Sequence, residues 1–121
     1  MTAARRRAEA RGRRGEWLGA ALLQLKGYRI LGRRVRTPMG EIDILASKND
    51  VLAVVEVKAR PTIREAMDSI PARQRTRLAR AALWVMGQRP ELSRATVRFD
   101  ALLFAPMALP RHVIDAWRPS Q

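Results

Sequence analysis

The sequence predicts an α/β domain in which one helix is followed by three strands, a second helix and two further strands. Apolar residues recur at helical spacing in two segments, whereas five other segments alternate or run apolar over the length of a strand. A chain of 121 residues has the size of one domain with a single core. We therefore expect one domain over residues 15–121, preceded by a basic extension or helix start at residues 1–14.

The first helix is predicted to end at Gly27, since glycine commonly follows the last helical turn. Residues 1–14 contain six arginines and no large aliphatic side chain. Such an arginine-rich, acid-poor segment is typical of an organellar transit peptide, but it also fits a solvated helix start. The helical pattern continues directly from it, which favours the helix start. The apolar face that we expect to be buried comprises Trp17, Leu18, Ala21, Leu22 and Leu25.

Three consecutive strands are predicted from the segments YRILGRRVRT, EIDILAS and VLAVVEVKAR. A turn around Pro38 and Gly40 and a tight connection at residues 48–50 join these segments, so we expect a meander. Pro61 ends the third strand because proline cannot donate a hydrogen bond to the ladder. A short polar loop is expected to follow.

The second helix is predicted to begin at residues 69–71 and to end before Pro90, with an apolar face that includes Leu78 and Val85. The segments ATVRFDALLFA and HVIDAW are expected to form the last two strands. The polar side of the second helix carries arginines at positions i, i+4 and i+7, namely Arg73, Arg77 and Arg80.

The charge of the chain predicts a polyanionic partner. Lys and Arg total 24 against 11 Asp and Glu, which gives a formal net charge of +13 and indicates nucleic acid or an anionic membrane surface. No apolar run approaches the roughly 20 residues of a spanning helix, so nucleic acid is favoured and no membrane is expected. The absence of cysteine and the single His112 leave oxygen atoms as the main ligands for any metal. We expect a cytoplasmic protein.

Acidic and basic residues interrupt the apolar second and third strands. Alternation in the second strand places Ile42 and Ile44 on one face and Asp43 on the other. In the third strand, Glu56 and Lys58 share the face opposite Val55 and Val57. If both apolar faces pack on the same core, the side chains of Asp43, Glu56 and Lys58 emerge together on the other side of the sheet.

Such a group of charges supports two interpretations. Two adjacent carboxylates repel each other unless a cation lies between them, and a hard divalent ion such as Mg²⁺ prefers oxygen ligands. Lys58 would then activate or orient a water and neutralise developing negative charge, as phosphodiester hydrolysis requires. The same residues also fit ordinary cross-strand ion pairs worth roughly 0.2–1 kcal/mol each. The spacing alone leaves both interpretations open.

The wider motif identifies a family resemblance. Asp43 followed by Glu56-Val57-Lys58 resembles the metal-site motif of the PD-(D/E)xK, or restriction-endonuclease-like, superfamily. The segments KGYRIL, GEIDILA, VVEVKAR, RQRTRLARAALW and RFDALLF are together similar to the YraN-type family of bacterial proteins over about residues 15–117. The resemblance implies a central mixed β-sheet flanked by helices, in the order α-β-β-β-α-β-β and similar to archaeal Holliday-junction resolvases.

The resemblance also implies an active site and a cofactor. Mg²⁺ or Mn²⁺ would be held by Asp43, Glu56 and the carbonyl of Val57, with Lys58 assisting the water. An acid of the first helix often completes such sites, which points to Glu16. Gln74 stands where many relatives place a polar residue of the second helix near the metal. The proline that precedes the superfamily's aspartate is Ile42 here, and the segment LGRRVRTPMG departs from the expected aromatic-containing basic segment.

The function implied is metal-dependent endonuclease activity on DNA, with branched or structured substrates. The alternative is a non-catalytic nucleic-acid-binding protein that retains the nuclease fold. In both cases we expect the arginines of the second helix to contact phosphates, together with Arg60. The sequence is also compatible with a homodimer.

The remaining aromatic and ionisable residues are expected to be structural. A tryptophan on an apolar helix face is usually part of the core, which predicts that Trp17 and Trp84 are buried rather than stacked on bases. Asp100 is expected to pair with an arginine rather than to reach the acidic site. His112 is expected to be structural or solvated.

Overall fold

A computed structural model describes the backbone of residues 2–119 and the side chains of residues 2–4 and 15–119. The helices are α1 (Ala3–Leu25), α2 (Ile63–Asp68) and α3 (Ala72–Gln88), with a 3₁₀ turn at Pro90–Leu92. The strands are β1 (Arg29–Thr37), β2 (Gly40–Lys48), β3 (Val51–Ala59), β4 (Thr96–Phe104) and β5 (Arg111–Trp117).

The strands form one five-stranded sheet in the order β1-β2-β3-β4-β5. Strands β3 and β4 are parallel, and the other neighbouring pairs are antiparallel. The parallel pair requires a crossover, which α2 and α3 provide between the ends of β3 and β4. The predicted mixed sheet flanked by helices, and the predicted order of the main elements, are therefore confirmed.

The polar loop expected before the second helix is in fact helical. The hydroxyl of Thr62 accepts a hydrogen bond from the backbone nitrogen of Glu65 at 3.0 Å and caps the first turn of α2. Ala66 of α2 is fully buried against the sheet, so tertiary packing supports this short helix. Helix α3 follows from Pro71 at its N-cap and matches the predicted second helix.

Apolar residues cover both faces of the sheet. On one face, buried residues of α3 pack with Leu52 and Val54 of β3 in a cluster that we call the α3-side core. On the other face, Leu23 of α1 packs with Val55 and Leu102 in the α1-side core. A strand buried on both faces reads as a continuous apolar run, which explains the sequence VLAVV at the start of β3. Glu56 and Lys58 consequently lie on the face opposite Val55 and Val57, as predicted, and α3 covers that face.

Helix α1 turns a different face to the sheet from the one predicted. Its buried positions include Gly15, Glu16, Gly19 and Leu23, whereas Trp17 is 60% exposed. Gly19 allows this approach, because a Cβ atom there would lie 2.8 Å from Cδ1 of Leu102. Close approach of the small residues decides which face is buried, so the prediction that the face with the larger apolar side chains is buried is wrong. Exposed apolar residues of α1 are Trp17, Leu18 and Leu25.

The prediction that Ile42 and Ile44 share one face of the sheet is wrong. Ile42 packs in the α3-side core together with Leu45, whereas Ile44 packs in the α1-side core. The alternation of β2 is broken at Asp43, beyond the last residue that pairs with β3. Opposite this position, Arg34 of β1 has a positive φ of 52°. The strands are thus irregular where the acidic residues lie.

The ends of the chain and the tryptophans complete the description. The backbone of α1 begins at Ala3, whereas the side chains of the arginines in residues 5–14 lie outside the described residues. Trp84 is half-buried against the α3-side core, and Trp117 is buried within it. Across the described residues, no helix is long and apolar enough to cross a membrane.

Candidate active site

The acidic site lies where β2 and β3 separate. The paired register between these strands ends at Ile44 and Val55, and Asp43 and Glu56 are the next residues along each strand. The carboxylate of Asp43 accepts a hydrogen bond from the backbone nitrogen of Val57 at 2.8 Å through Oδ2. A side chain therefore replaces the missing rung of the ladder and holds the Asp43 carboxylate against β3.

The carboxylate of Glu56 is buried and only partly satisfied. Its Oε1 accepts a hydrogen bond from Nε2 of Gln74 at 2.5 Å and lies 3.7 Å from Nζ of Lys58. Its Oε2 is buried and receives no hydrogen bond from a donor group within the described part of the chain, although the Glu56 and Asp43 carboxyl groups can share a proton in a hydrogen bond between them. A buried oxygen without a partner is costly, and in a native protein it commonly marks the place of an ion, a water or a substrate group.

Burial raises the pKa values of both carboxyl groups, and the charge of Asp43 raises that of Glu56 further. Burial raises the pKa of Glu56 to about 8, and the negative charge of Asp43 adds to this effect against the opposing charges of Lys58 and Arg77. Burial also raises the pKa of Asp43, although the hydrogen bond from the Val57 nitrogen acts in the opposite direction. The pair therefore retains a proton near neutral pH, and a cation that contacts both groups would favour their ionised forms.

Glu16 of α1 lies beside this pair and is bound by an arginine. Its Oε2 accepts a hydrogen bond from Nε of Arg34 at 2.8 Å, and its carboxyl is buried. Burial raises the pKa of Glu16 against the effect of Arg34, and the charge of Asp43 raises it further. The family resemblance pointed to Glu16, but the contact of Arg34 was not predicted. Arg34 is one of several arginines in β1, and nothing in the sequence distinguishes the one that contacts α1.

The donor set fits a hard divalent ion at the pair of carboxylates. Among residues 2–4 and 15–119, no three His, Cys, Asp or Glu side chains form a group that could hold a metal ion. A metal at Asp43 and Glu56 would thus have two carboxylate ligands, and the carbonyl of Val57 stays the predicted third protein ligand. The free Oε2 of Glu56 and the all-oxygen set agree with Mg²⁺ or Mn²⁺, ions that keep several waters.

The arginines of α3 line a groove next to the acidic site. This groove has a volume of about 420 Å³, and its lining includes Met39. Arg77 packs directly over Gly40, whose missing side chain leaves room for the guanidinium. Its charge lowers the pKa of Glu56, so it lies within electrostatic reach of the carboxylate pair. The predicted residues that the groove brings together are Arg73, Arg77 and Arg80.

Arg60 is separated from this arginine groove. It follows the end of β3 and lines a second, more apolar groove of about 660 Å³ together with Leu18, Pro61 and Phe104. Its guanidinium donates a hydrogen bond to the carbonyl of Ala59 at 2.7 Å. The structure therefore places the four predicted phosphate-contacting arginines in two grooves.

A second buried carboxylate, Asp100, is fully bonded. Arg98 donates hydrogen bonds to both of its oxygens at 2.8 Å, and Nε2 of His112 lies 2.8 Å from Oδ2. The backbone nitrogen of Asp115 donates a further hydrogen bond to Oδ1. The prediction that Asp100 pairs with an arginine is confirmed, and His112 is structural. Sequence reasoning missed the contacts of Arg98 with Tyr28 and of Lys26 with His112, which join distant segments.

The fold and the site define a small α/β protein in which a buried and a half-buried carboxylate meet at the point where two central strands diverge. The sequence profile of Uncharacterised protein family UPF0102 matches residues 15–104. A UPF0102 protein of Maricaulis maris is 50% identical over 119 residues, covering 98% of this chain and 94% of the relative. A UPF0102 protein of Caulobacter vibrioides is 52% identical over 106 residues, covering 88% and 85% of the two chains. The chain belongs to the UPF0102 family, in agreement with the YraN-type resemblance.

Proposed function

We propose that this protein is a metal-dependent endonuclease of the PD-(D/E)xK superfamily that hydrolyses phosphodiester bonds of DNA, with branched or structured DNA as its substrate. The observation that carries the proposal is the pair formed by the half-buried Asp43 and the buried Glu56 beside Lys58. A carboxylate oxygen without a partner, Oε2 of Glu56, is costly in a purely structural ion pair. The same oxygen is useful where a cation has to bind.

The residues of the site have distinct proposed roles. Asp43, Glu56 and the carbonyl of Val57 would hold Mg²⁺ or Mn²⁺, which when bound supplies positive charge that polarises the phosphate. Gln74 fixes the Glu56 carboxylate through its hydrogen bond to Oε1. Lys58, whose ammonium lies 3.7 Å from the same oxygen, would orient the attacking water and stabilise the charge that develops on the phosphate.

The arginine groove supports DNA as the substrate. Arg73, Arg77 and Arg80 line one concave surface beside the carboxylates, and the chain carries a net charge of +13. Such a surface binds the phosphate backbone without reading its sequence. A protein that cleaves cellular DNA in this way would act in the cytoplasm.

The direct test is single-turnover cleavage of duplex, flap, four-way-junction and single-stranded DNA with Mg²⁺ or Mn²⁺. We expect wild-type protein to cleave at least one of these substrates and Lys58→Ala to cleave none. The matched control is Lys48→Ala, because Lys48 is exposed and its ammonium bonds to the carbonyl of Lys26. This control should cleave at a rate within a few-fold of wild type.

Binding of the same substrates in Ca²⁺ separates chemistry from affinity. Lys58→Ala should bind within a few-fold of wild type, because the arginines and not this lysine are proposed to hold the phosphates. Equal cleavage by Lys58→Ala and wild type would show that Lys58 is not catalytic. Absence of cleavage by wild type on the whole panel, with binding retained, would favour the second function.

That second function is nucleic-acid binding without catalysis. The arginine groove favours it, since its lining residues do not depend on the carboxylates for their position in α3. Each neutralised phosphate adds roughly 0.9 to the slope of log affinity against log salt for duplex DNA. Replacing Arg73, Arg77 and Arg80 by glutamine should therefore flatten this slope by about two to three. The charge-matched control replaces three exposed arginines outside the groove by glutamine, namely Arg64, Arg94 and Arg111.

A further inference from the structure

Arg34 makes an unusual contact for a residue in an edge strand. Its Nε lies 2.8 Å from Oε2 of Glu16, in a helix that packs on the sheet. The side chain of Glu16 is 12% exposed and that of Arg34 is 42% exposed, so the ion pair lies at the mouth of the site. No other ion pair of the described side chains joins α1 to the sheet.

The backbone at Arg34 is held in a conformation that arginine rarely adopts. Its φ of 52° lies in the left-handed region, which is strained for a residue with a side chain. The residues on either side, Arg33 and Val35, pair regularly with Ile44 and Ile42. Arg34 has no partner in this register, at the position that would otherwise pair with Asp43. The strained turn points an arginine at the acidic site where a glycine would relieve the strain.

The charge of Arg34 acts on several acids at once. The carboxylates that interact with its guanidinium are, besides Glu16, those of Glu41 and Asp43. Lys58 lies on the other side of the pair, next to Glu56. Arg34 is thus a cation that pairs with Glu16 and interacts with Asp43, one of the two carboxylates proposed to hold a divalent ion.

We propose that Arg34 is a built-in counter-cation of the acidic site: it holds the Glu16 carboxylate away from a bound metal and weakens the attraction of the site for a divalent ion. This inference rests on the proposed metal-binding function. The guanidinium and the metal compete for the same negative charge, because both are stabilised by Glu16 and Asp43 and repel each other. Metal ligation is then confined to Asp43, Glu56 and the Val57 carbonyl.

The test is calorimetric titration of Mn²⁺ into wild type, Arg34→Gln and Arg34→Gly. We expect both variants to bind Mn²⁺ roughly tenfold more tightly, because each removes one positive charge beside a partly solvated acidic site that would hold a divalent ion. Arg34→Gly also tolerates the positive φ, so it stays informative if Arg34→Gln unfolds. Arg33→Gln is the control, since the adjacent residue carries the same charge but lines a groove with Trp17 on the outer side of α1.

The possible results separate this inference from the proposed function. Tighter Mn²⁺ binding by each Arg34 variant that folds, with Arg33→Gln like wild type, supports the counter-cation role, even where wild type binds too weakly to measure. Unchanged or weaker binding by folded Arg34 variants, or no binding by any protein, overturns it. Tighter binding without cleavage of any DNA by wild type would retain the role of Arg34 and reject the endonuclease.

Discussion

Glu56 and Asp100 are both buried carboxyl groups on the paired central strands, yet their surroundings differ. Glu56 is 5% exposed and Asp100 is fully buried. Glu56 has one bonded oxygen and one without a partner within the described residues. Asp100 receives hydrogen bonds on both oxygens from Arg98, His112 and the nitrogen of Asp115. We therefore call Glu56 the incomplete acid, because one of its oxygens has no partner, and Asp100 the saturated acid, because both of its oxygens are bonded.

The pKa values of the two groups move in opposite directions for this reason. Burial, with the negative charge of Asp43, raises the pKa of Glu56 to about 8. Burial alone would also raise the pKa of Asp100, but the hydrogen bonds from His112, Arg98 and Asp115 hold it at about 2. Burial by itself therefore does not identify a functional acid. The number of partners that the fold supplies distinguishes a structural acid from one that can take a ligand.

The largest expected effect is the loss of stability when the saturated acid, Asp100, is replaced. Asp100→Ala should lower the free energy of unfolding by about 3–5 kcal/mol, because it leaves the charge of Arg98 and the ring of His112 without their buried partner. Urea denaturation at pH 7 measures this difference. The control Asp115→Asn removes an exposed charge that pairs with Arg118 and keeps a side chain that tolerates the positive φ of 54°, so it should cost less than about 1 kcal/mol. A small loss for Asp100→Ala would mean that the cluster is not a main support of the fold.

Metal should stabilise the protein through the incomplete acid. At a Mn²⁺ concentration about 100 times its dissociation constant, the wild-type protein should gain about 2.7 kcal/mol, since a ligand bound by the folded state stabilises it. Thermal unfolding with and without Mn²⁺ should show this gain for wild type and for Asp68→Asn, which alters an exposed acid of α2. Asp43→Asn and Glu56→Gln should lose it. An equal response in all four proteins would place the metal elsewhere.

The pH dependence of stability should differ between the two acids. The unfolded chain ionises Glu56 near its ordinary value of 4.5, whereas the folded protein keeps it protonated up to about pH 8. Stability should therefore fall as pH rises from about 5 to 8, by up to about 1.4 kcal/mol per pH unit. Glu56→Gln should flatten this part of a profile measured by urea denaturation; an unchanged fall would assign it to another group.

Asp100 contributes in the opposite range. Its pKa is lowered from the ordinary 3.8 to about 2, so its contribution is present above about pH 4 and is lost as pH falls toward 2. Asp100→Asn should reduce the acid sensitivity of stability and leave the fall between pH 5 and 8 intact. A variant that changed both ranges would show that the two carboxyl groups are coupled.

The smallest effect on stability is expected at Lys58. At pH 7 Glu56 is mainly uncharged, so Lys58→Ala should change the free energy of unfolding by less than about 1 kcal/mol. At pH 9 the ionised Glu56 needs its cation, and the loss should increase. Denaturation at the two pH values tests this; a loss of equal size at both would indicate that Lys58 acts through packing.

The spacing of residues along each element was enough to predict much of the site. Alternation predicted that Glu56 and Lys58 lie on one face of β3, and in the structure Nζ of Lys58 lies 3.7 Å from Oε1 of Glu56. The family resemblance added Gln74, which the structure joins to Glu56. Arg34 and the bonds that saturate Asp100 could not be predicted in this way, because they depend on a positive φ and on contacts between segments distant in sequence.

The sequence by itself determined the order of the main elements, because helical and strand periods are local properties of the chain. It also determined the excess of positive charge and the oxygen-based character of any metal site. Only the tertiary structure decided which face of α1 is buried, since the close approach of Gly19 to the sheet outweighs the size of Trp17 and Leu18. It also decided how many partners each buried acid has. Glu56 keeps an oxygen without a partner because β2 diverges from β3 beside it. Asp100 has no such oxygen because β5 pairs with β4 and supplies further hydrogen-bond donors.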